Sequence, residues 1–600
     1  MSSGAEREGA NPRAGGRRRA ARAVAWVVIP AALAALVFGQ CWLFIDSTSE
    51  TFDEPTYLVL GLAIFRRGNF LSLCSPMAPP LPILLEYWWP ALTSRTFPES
   101  PGWEWEVAGL VRRARLLTSA TVGVPLAWLV YAWLARRRGW AVAAIGGGLV
   151  AFSPSILASA SLATTDACFA LFAVLALAAL ARHAGKPSAG RFAAAGVALG
   201  LALASKQTGV ILFPVALVVL FAVPSPRPEG KTRVDAWLIA LSRAGARVVA
   251  LVAIAFLVDW ALYGFRLAPA CGSGGGNTYI PVFVPMIAGL FPDGEAIMET
   301  LRGFRPPLAL DTFLGQLDHA SQGHFAFLMG QFSTRGWWYF FPVAIALKST
   351  PAELVMFALA AGLAARRASW VDPTRRLWLA GLATLIGAGM ASKLNIGHRY
   401  MLLAYPLAVL LAVDAIGEAR ARRRAWAWVG GGLLLVGQAT AAIGIAPHYL
   451  GYFNGLGGGP TQGYRFLADS SLDWGQDLPI VRRELEARGY RKVALAYFGT
   501  ASPRAHGLRS VSYGGDDDPI ASGCDWLAIS ATSLQGVYGM PARLLDRFGG
   551  LPSARAGYSF FLYDLKDPRV ASALGEFRRS TLGLSTPKPS GPGAPRKLGD

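Results

Sequence analysis

The stretch VAWVVIPAALAALVFGQCWLFI at residues 24–45, followed after five residues by Thr51-Phe52-Asp53-Glu54-Pro55-Thr56-Tyr57, decides how the chain is read. The first piece carries no charge and is long enough for a bilayer's hydrocarbon core, which takes about 20 helical residues. Each charge at the centre of an inserted helix costs roughly 2.5 to 3.5 kcal/mol. Two carboxylates held just past the helix end therefore point to chemistry at the membrane surface.

The rest of the chain extends this pattern. Of its 600 residues 53% are hydrophobic and 16% charged, and apolar runs of about twenty residues recur through the first three quarters. That composition defines a polytopic α-helical membrane protein. A net charge of +20 would suit a nucleic-acid binder, but the arginines fall in short loops between apolar runs and no folded basic domain is visible. This is the pattern of cytoplasmic loops, and nucleic acid is excluded as a partner.

The runs predict eleven crossings, near 24–45, 116–135, 140–161, 166–182, 192–204, 208–223, 248–265, 338–363, 377–392, 400–418 and 425–446. The basic tail at 1–23, with Arg13, Arg17, Arg18, Arg19 and Arg22, is placed in the cytoplasm. The run after it is too long for a signal peptide and lacks a small-residue cleavage site, so it reads as an uncleaved anchor. The membrane module is 24–446, with outer loops at about 46–115 and 266–336. The hairpin at 192–223 is short for two crossings, but the parity beyond it does not depend on it. Residues 447–584 then lie outside as a small α/β domain, with a helix over Leu478–Arg488 and strands over Lys492–Phe498, Asp525–Ser530 and Tyr558–Leu565. Pro, Gly and Lys dominate 585–600, a tail expected to be disordered. The location expected is a bacterial plasma membrane, N-terminus inside and C-terminal domain extracytoplasmic.

The five cysteines show no metal-ligand spacing. Cys74 and Cys271 both fall outside the membrane, which leaves a disulfide between them open. No compact ligand set appears, so no cofactor is assigned and a divalent metal requirement stays open.

This topology sorts the polar residues. Asp53 and Glu54 follow the first span, Arg115 opens the second, Asp166 opens the fourth, Lys206 lies between the fifth and sixth, and His398-Arg399 precede the tenth. All sit at outer-side ends, the arrangement needed to hold an anionic lipid headgroup while a carboxylate handles a proton. Each also has a plainer reading. Arg115 and Arg399 can snorkel, Asp166 can stabilise a helix start, Lys206 can be a hairpin tip, and Asp53-Glu54 an exposed first turn. The cluster Gly336-Trp337-Trp338-Tyr339-Phe340-Phe341-Pro342 reads either as an aromatic belt or as a surface that stacks on sugars.

Together these residues resemble the GT-C membrane glycosyltransferases of the protein O-mannosyltransferase and aminoarabinose transferase type, which use a polyprenyl-phosphate sugar. The resemblance rests on Phe52 to Tyr57, Pro79-Pro80-Leu81, Arg115-Leu116, Thr164-Thr165-Asp166 and Leu203 to Thr208. It continues in Gly336 to Pro342 with Lys348, and in Asn395 to Tyr400 with Tyr405-Pro406. The family commonly has His before Pro-Pro-Leu; Ala78 stands there in this chain, so that histidine's role is not carried over. The stretch Asp469-Ser470-Ser471-Leu472-Asp473-Trp474-Gly475-Gln476-Asp477 looks like one seen in a bacterial subgroup and is read as structural or sugar-contacting.

The resemblance implies an inverting transfer from a polyprenyl-phosphate-linked donor to a hydroxyl acceptor on protein, lipid or glycan. The acceptor must lose a proton while a lipid phosphate departs. The resemblance assigns the base role to Asp53; Glu54, about 100° away on a helix, would orient the acceptor or its neighbours. Lys206 and Arg399 are the first candidates for the phosphate, Arg115 and His398 the second. Asp166, Tyr57, Trp337 and Trp338 are candidates for the sugar or acceptor, and Asp166 alternatively for a partner to a cation. The rival readings are a transporter or flippase of lipid-linked sugars and a non-catalytic membrane scaffold. Charges gathered at one face and no convincing internal repeat favour the enzyme.

Overall fold

The structure, a computed structural model, describes residues 22–222, 232–268, 296, 305–422, 425–514, 517–539, 548 and 550–581. Residues 1–21 of the basic tail, most of 269–304 with Cys271, and the tail at 585–600 lie outside the described residues.

Six helices among them are individually long and apolar enough to cross a membrane: Val24–Ser47, Trp103–Arg138, Thr165–Gly185, Leu241–Leu262, His398–Ala421 and Trp426–Ile445. Trp140–Ala151 and Pro154–Ala160 pass the same test only as a pair, and they meet at 65°, the geometry of a broken span or a re-entrant loop. Proline bars its predecessor from helical geometry, and Ser153, extended at ψ 114°, caps the new start at the Ile156 amide. The other four expected crossings correspond to shorter, interrupted or less apolar helices. They are Ala189–Ser205, Leu212–Ala222, the pair Phe340–Lys348 and Pro351–Ala364, and Pro373–Ala391. The second span begins earlier than expected, at Trp103 rather than 116, since Trp103 to Ala114 form a helix with one apolar face before the uncharged run starts.

At one end of the bundle the basic loops are tied down. Asp414 accepts Arg137 Nε at 2.6 Å, Arg138 Nε at 2.6 Å and Arg375 Nε at 2.7 Å, which joins three helices. At the opposite end the expected outer loop is itself helical. Helix Glu54–Arg67 buries Leu58, Leu60, Leu62 and Ile64 and stops at Gly68, whose left-handed φ of +62° lets its amide bond back to Ala63 and Ile64. Gly61 is needed for packing: a Cβ there would lie 2.7 Å from the Tyr87 Cβ.

A hairpin of β1 (Ala326–Leu328) and β2 (Gln331–Ser333) follows helix Leu308–Gln322. The C-terminal segment forms a five-stranded sheet from β3 (Val493–Ala496), β4 (Ser510–Ser512), β5 (Trp526–Ser530), β6 (Ala554–Ala556) and β7 (Phe560–Asp564), in the order β4-β3-β5-β7-β6. Strand β3 runs parallel to β4 and β5, and β7 antiparallel to β5 and β6. The expected helix appears as Leu478–Glu486 and the three expected strands as β3, β5 and β7. The two strands not anticipated, β4 and β6, are three residues long, too short for a period-two pattern to register.

This domain is joined closely to the C-terminal end of the first span. The Ser49 amide donates to Gln476 O at 2.8 Å, the Phe52 amide to Trp474 O at 3.0 Å, and Thr500 Oγ1 to Phe52 O at 2.9 Å. His506 Nε2 meets Glu50 at 2.6 Å. Burial raises the Glu50 carboxyl, but the hydrogen bond from His506 and its charge outweigh that, and the group is held below its ordinary range.

Candidate functional site

Asp53 stands at the N-cap of helix Glu54–Arg67, with Pro55 in the first turn, but its side chain makes no cap bond. The carboxylate is left to face a cavity of about 450 Å3 at the end of the bundle away from Asp414. Tyr57 lines the same wall one turn on; burial first, then the Asp53 charge, raises its phenol above the ordinary range. Met77, Ala78 and Pro79 add another wall, which Gln207 secures by donating to Met77 O at 2.8 Å. Ala78, standing where the resemblance expects His, therefore lines this space. Phe313, Gln316, Leu317, His319 and Ala320, on the helix before the hairpin, close the side.

Two cations enter from separate elements. Lys206 follows helix Ala189–Ser205 in extended conformation, and Arg399 lies in the turn His398–Met401. Between them stands Asp166, in the first turn of helix Thr165–Gly185. It accepts Lys206 Nζ at 2.5 Å and lies 3.5 Å from Arg399 Nη1, and that same Nη1 donates to Asp53 at 3.2 Å. Carboxylates and cations thus alternate from Asp53 through Arg399 and Asp166 to Lys206. Each charge in a low-dielectric setting is balanced by a neighbour. The Arg399 Nε and Asp166 Oδ2 are buried without a hydrogen-bond partner among the described residues. The Arg399 guanidinium lies over the Trp474 ring at 3.9 Å, and Lys206 Nζ over the Tyr400 ring at 3.9 Å.

Five expected site residues stand away from this cavity. Glu54 is fully buried, and its carboxylate accepts Arg115 Nε at 2.8 Å, Arg115 Nη2 at 2.6 Å, the Thr51 amide at 2.7 Å, Thr51 Oγ1 at 2.8 Å and the Ala163 amide at 2.9 Å. With every lone pair engaged it has nothing left for an acceptor. Arg115, 2% exposed, spends four of its five N–H donors on Glu54, Thr48 and Ser49, so it holds the buried Glu54 carboxylate away from the cavity. His398 points into the bundle, with Nε2 at 2.7 Å from the Tyr405 hydroxyl and 3.4 Å from Ser155. Trp337 bonds Asn395 Oδ1 through its amide at 2.6 Å, and Trp338 is 65% exposed on the periphery. The aromatic belt reading fits this placement.

Trp474 is the contact residue that sequence reasoning did not single out. From sequence its stretch reads as structural or sugar-contacting, and the structure turns this ring onto Arg399. Another buried acid, Glu86, lies behind the cavity, where burial pushes it well above the carboxylate range. Cys74 donates to Asp311 at 3.2 Å. No group of three or more metal-ligating side chains occurs among the described residues.

Residues 105–259 match the family model of the dolichyl-phosphate-mannose-protein mannosyltransferases. The match spans about a quarter of the chain and lies within its bundle of apolar helices. The matched segment contains Asp166 and Lys206, while Asp53 and Arg399 lie outside it. Among solved structures, the chain is similar to undecaprenyl phosphate-bound ArnT from Cupriavidus metallidurans at 12% identity and a TM-score of 0.45, covering 91% of this chain and 99% of that one. It is similar to the Archaeoglobus fulgidus oligosaccharyltransferase at 13% identity and a TM-score of 0.40, covering 86% and 71%. It is also similar to the S. cerevisiae Pmt1-Pmt2 protein O-mannosyltransferase complex at 16% identity and a TM-score of 0.29, covering 42% and 35%. No curated protein matches the chain significantly.

Proposed function

We propose that the protein moves a sugar from a polyprenyl-phosphate donor to a hydroxyl acceptor at the outer face of a bacterial plasma membrane, inverting the anomeric centre. The observation that carries this reading is the alternating row Asp53, Arg399, Asp166, Lys206 at the cavity end. A transfer of this kind needs a base at the acceptor oxygen and cations at the departing phosphate, a few ångströms apart. Asp53, 30% exposed and free of capping duty, takes the acceptor proton as the oxygen attacks. As the bond from the anomeric carbon to the phosphate oxygen breaks, its electrons stay with the lipid phosphate, whose charge Lys206 and Arg399 receive.

Asp166 positions both cations. Lys206 donates one hydrogen bond, to Asp166, among the described residues, so two of its three protons remain for a phosphate, as does the unpartnered Arg399 Nε–H. Tyr57 borders the space for the sugar or acceptor. A lipid-phosphate donor is supported by the family whose model matches residues 105–259. The outward orientation is supported by arginines gathered around Asp414 at the end of the bundle away from the cavity.

Reconstitution with a panel of polyprenyl-phosphate sugars, with products read by mass spectrometry, tests the reading. Transfer by the unaltered protein, lost in Asp53→Asn, is the expected result. No product from any donor refutes transfer, and full activity in Asp53→Asn refutes the base assignment.

A further inference from the structure

Arg399 has an environment divided between two parts of the chain. Its guanidinium edge faces the carboxylates of Asp53 and Asp166, at 3.2 and 3.5 Å. Its flat face lies 3.9 Å from the centre of the Trp474 ring, which is itself 3% exposed. A guanidinium held by its edge alone can rotate about its long stem, whereas a ring across its face fixes the plane in which its donors point.

The same stretch also fixes the carboxylate. Trp474 O accepts the Phe52 amide at 3.0 Å, one residue before Asp53, and Gln476 O accepts the Ser49 amide at 2.8 Å. The Trp474 amide is in turn held by Gln476 Oε1 at 2.8 Å, and Ser471 Oγ accepts the His398 amide at 3.1 Å, next to Arg399. Asp469 to Asp477 therefore touch both chain segments that carry the opposed charges, residues 49–53 and 397–399. The segment leads directly into helix Leu478–Glu486 and the sheet.

We infer that Asp469 to Asp477, at the head of the C-terminal domain, complete the transferase site, and that Trp474 is a positioning residue that orients Arg399 toward the donor phosphate. This rests on the proposed glycosyl transfer and adds to it a role for the C-terminal domain. The domain braces the two segments that carry Asp53 and Arg399 from outside the cavity lining, and severing or replacing it would not simply alter acceptor choice.

The test compares Trp474→Phe and Trp474→Leu in the full-length protein, because both keep the backbone bonds to Phe52 and both keep the site apolar. Donor KM and kcat are measured against a polyprenyl-phosphate sugar that the unaltered protein uses, with thermal unfolding of each variant. A desolvated cation–π contact corresponds to about a 10- to 30-fold effect. Trp474→Leu is therefore expected to raise donor KM by about that factor, and Trp474→Phe by less than about 3-fold. A purely structural role would shrink the folded fraction and hence apparent kcat, and leave donor KM unmoved in both variants; that result overturns the inference. An equal rise in KM for Phe and Leu overturns it as well, since the ring face would then be irrelevant. No transfer by the unaltered protein would instead overturn the transferase reading and, with it, this one.

Discussion

Replacing Glu54 with Gln distinguishes a structural carboxylate from a catalytic one next door. The pair Glu54–Arg115 is closed to water, 0% and 2% exposed, with a 2.6 Å contact. Gln keeps one carbonyl oxygen, enough for the Arg115 Nε and Ala163 amide now bound to Oε1 at 2.8 and 2.9 Å. The new NH2 falls where Oε2 accepts Arg115 Nη2 and the Thr51 amide and hydroxyl. Donors then face donors, and the Arg115 charge stays buried without its counterion. Breaking one side of a buried pair costs about 3–5 kcal/mol, and with three acceptor sites lost the upper half of that range is expected. Denaturant unfolding in detergent should show Glu54→Gln destabilised by about 4 kcal/mol. The double variant Glu54→Leu with Arg115→Leu should recover more than about 2 kcal/mol of it, because no lone charge remains. Turnover per folded molecule should stay within about tenfold of the unaltered protein, a difference of about 1.4 kcal/mol in the barrier. A Glu54→Gln protein as stable as the original but without transfer would refute this reasoning and restore Glu54 to the reaction.

Asp53→Asn should show the reverse: transfer lower by about 10²- to 10⁴-fold, with unfolding midpoint and lipid-phosphate binding unchanged; loss of the fold would contradict the assignment. Gly61→Ala puts a Cβ 2.7 Å from the Tyr87 Cβ and should destabilise by about 1–3 kcal/mol, checked by thermal shift; a neutral result would mean that Tyr87, the joint between helices Pro80–Glu86 and Trp88–Thr93, gives way freely. Asp473, next to Trp474, has a carboxyl that burial pushes up to about 7 from 3.8. The folded state then holds a proton that the unfolded state has released. That contribution to stability is fully present below about pH 4 and fades as pH rises through about 7, by a total of about 4 kcal/mol. Asp473→Asn, neutral throughout, should flatten this slope and be the more stable protein at pH 8; matching slopes between pH 5 and 8 would refute the argument.

The face on which the chemistry gathers was legible because membrane topology is written in residue spacing and arginine placement, signals local to each span. Asp53, Lys206 and Arg399 could be grouped from those signals alone. Their surroundings could not, because the partners are remote in sequence. Glu54 and Arg115 are adjacent to the right spans and of the right chemistry for a site, and only the rotation of two helices turns them toward each other. His398, beside Arg399, is carried into the bundle by the turn at 398–401, a change of direction that adjacency hides. The helix count was harder for a related reason. Prolines at 154 and 351 break apolar runs that composition reads as continuous, and a break changes the direction of a helix without changing its hydropathy.

Neighbouring acids therefore differ by environment and not by type. Asp53 and Glu54 share a helix start, yet one faces the cavity and the other a sealed arginine. A carboxylate whose lone pairs are all engaged cannot take up a proton without breaking hydrogen bonds already made, whereas Asp53 accepts one bond, at 3.2 Å, among the described residues. The same distinction applies to the cations. Arg115 has four of its five N–H donors spent in a sealed pair, while Arg399 and Lys206 retain some beside the cavity and are held close to carboxylates that keep the row near neutrality. In the proposed transfer a phosphate is met by those spare donors. In that same proposed transfer, proton removal at Asp53 and phosphate departure at Lys206 and Arg399 fall along one row, where the charge developing at each end is met by a group already in place.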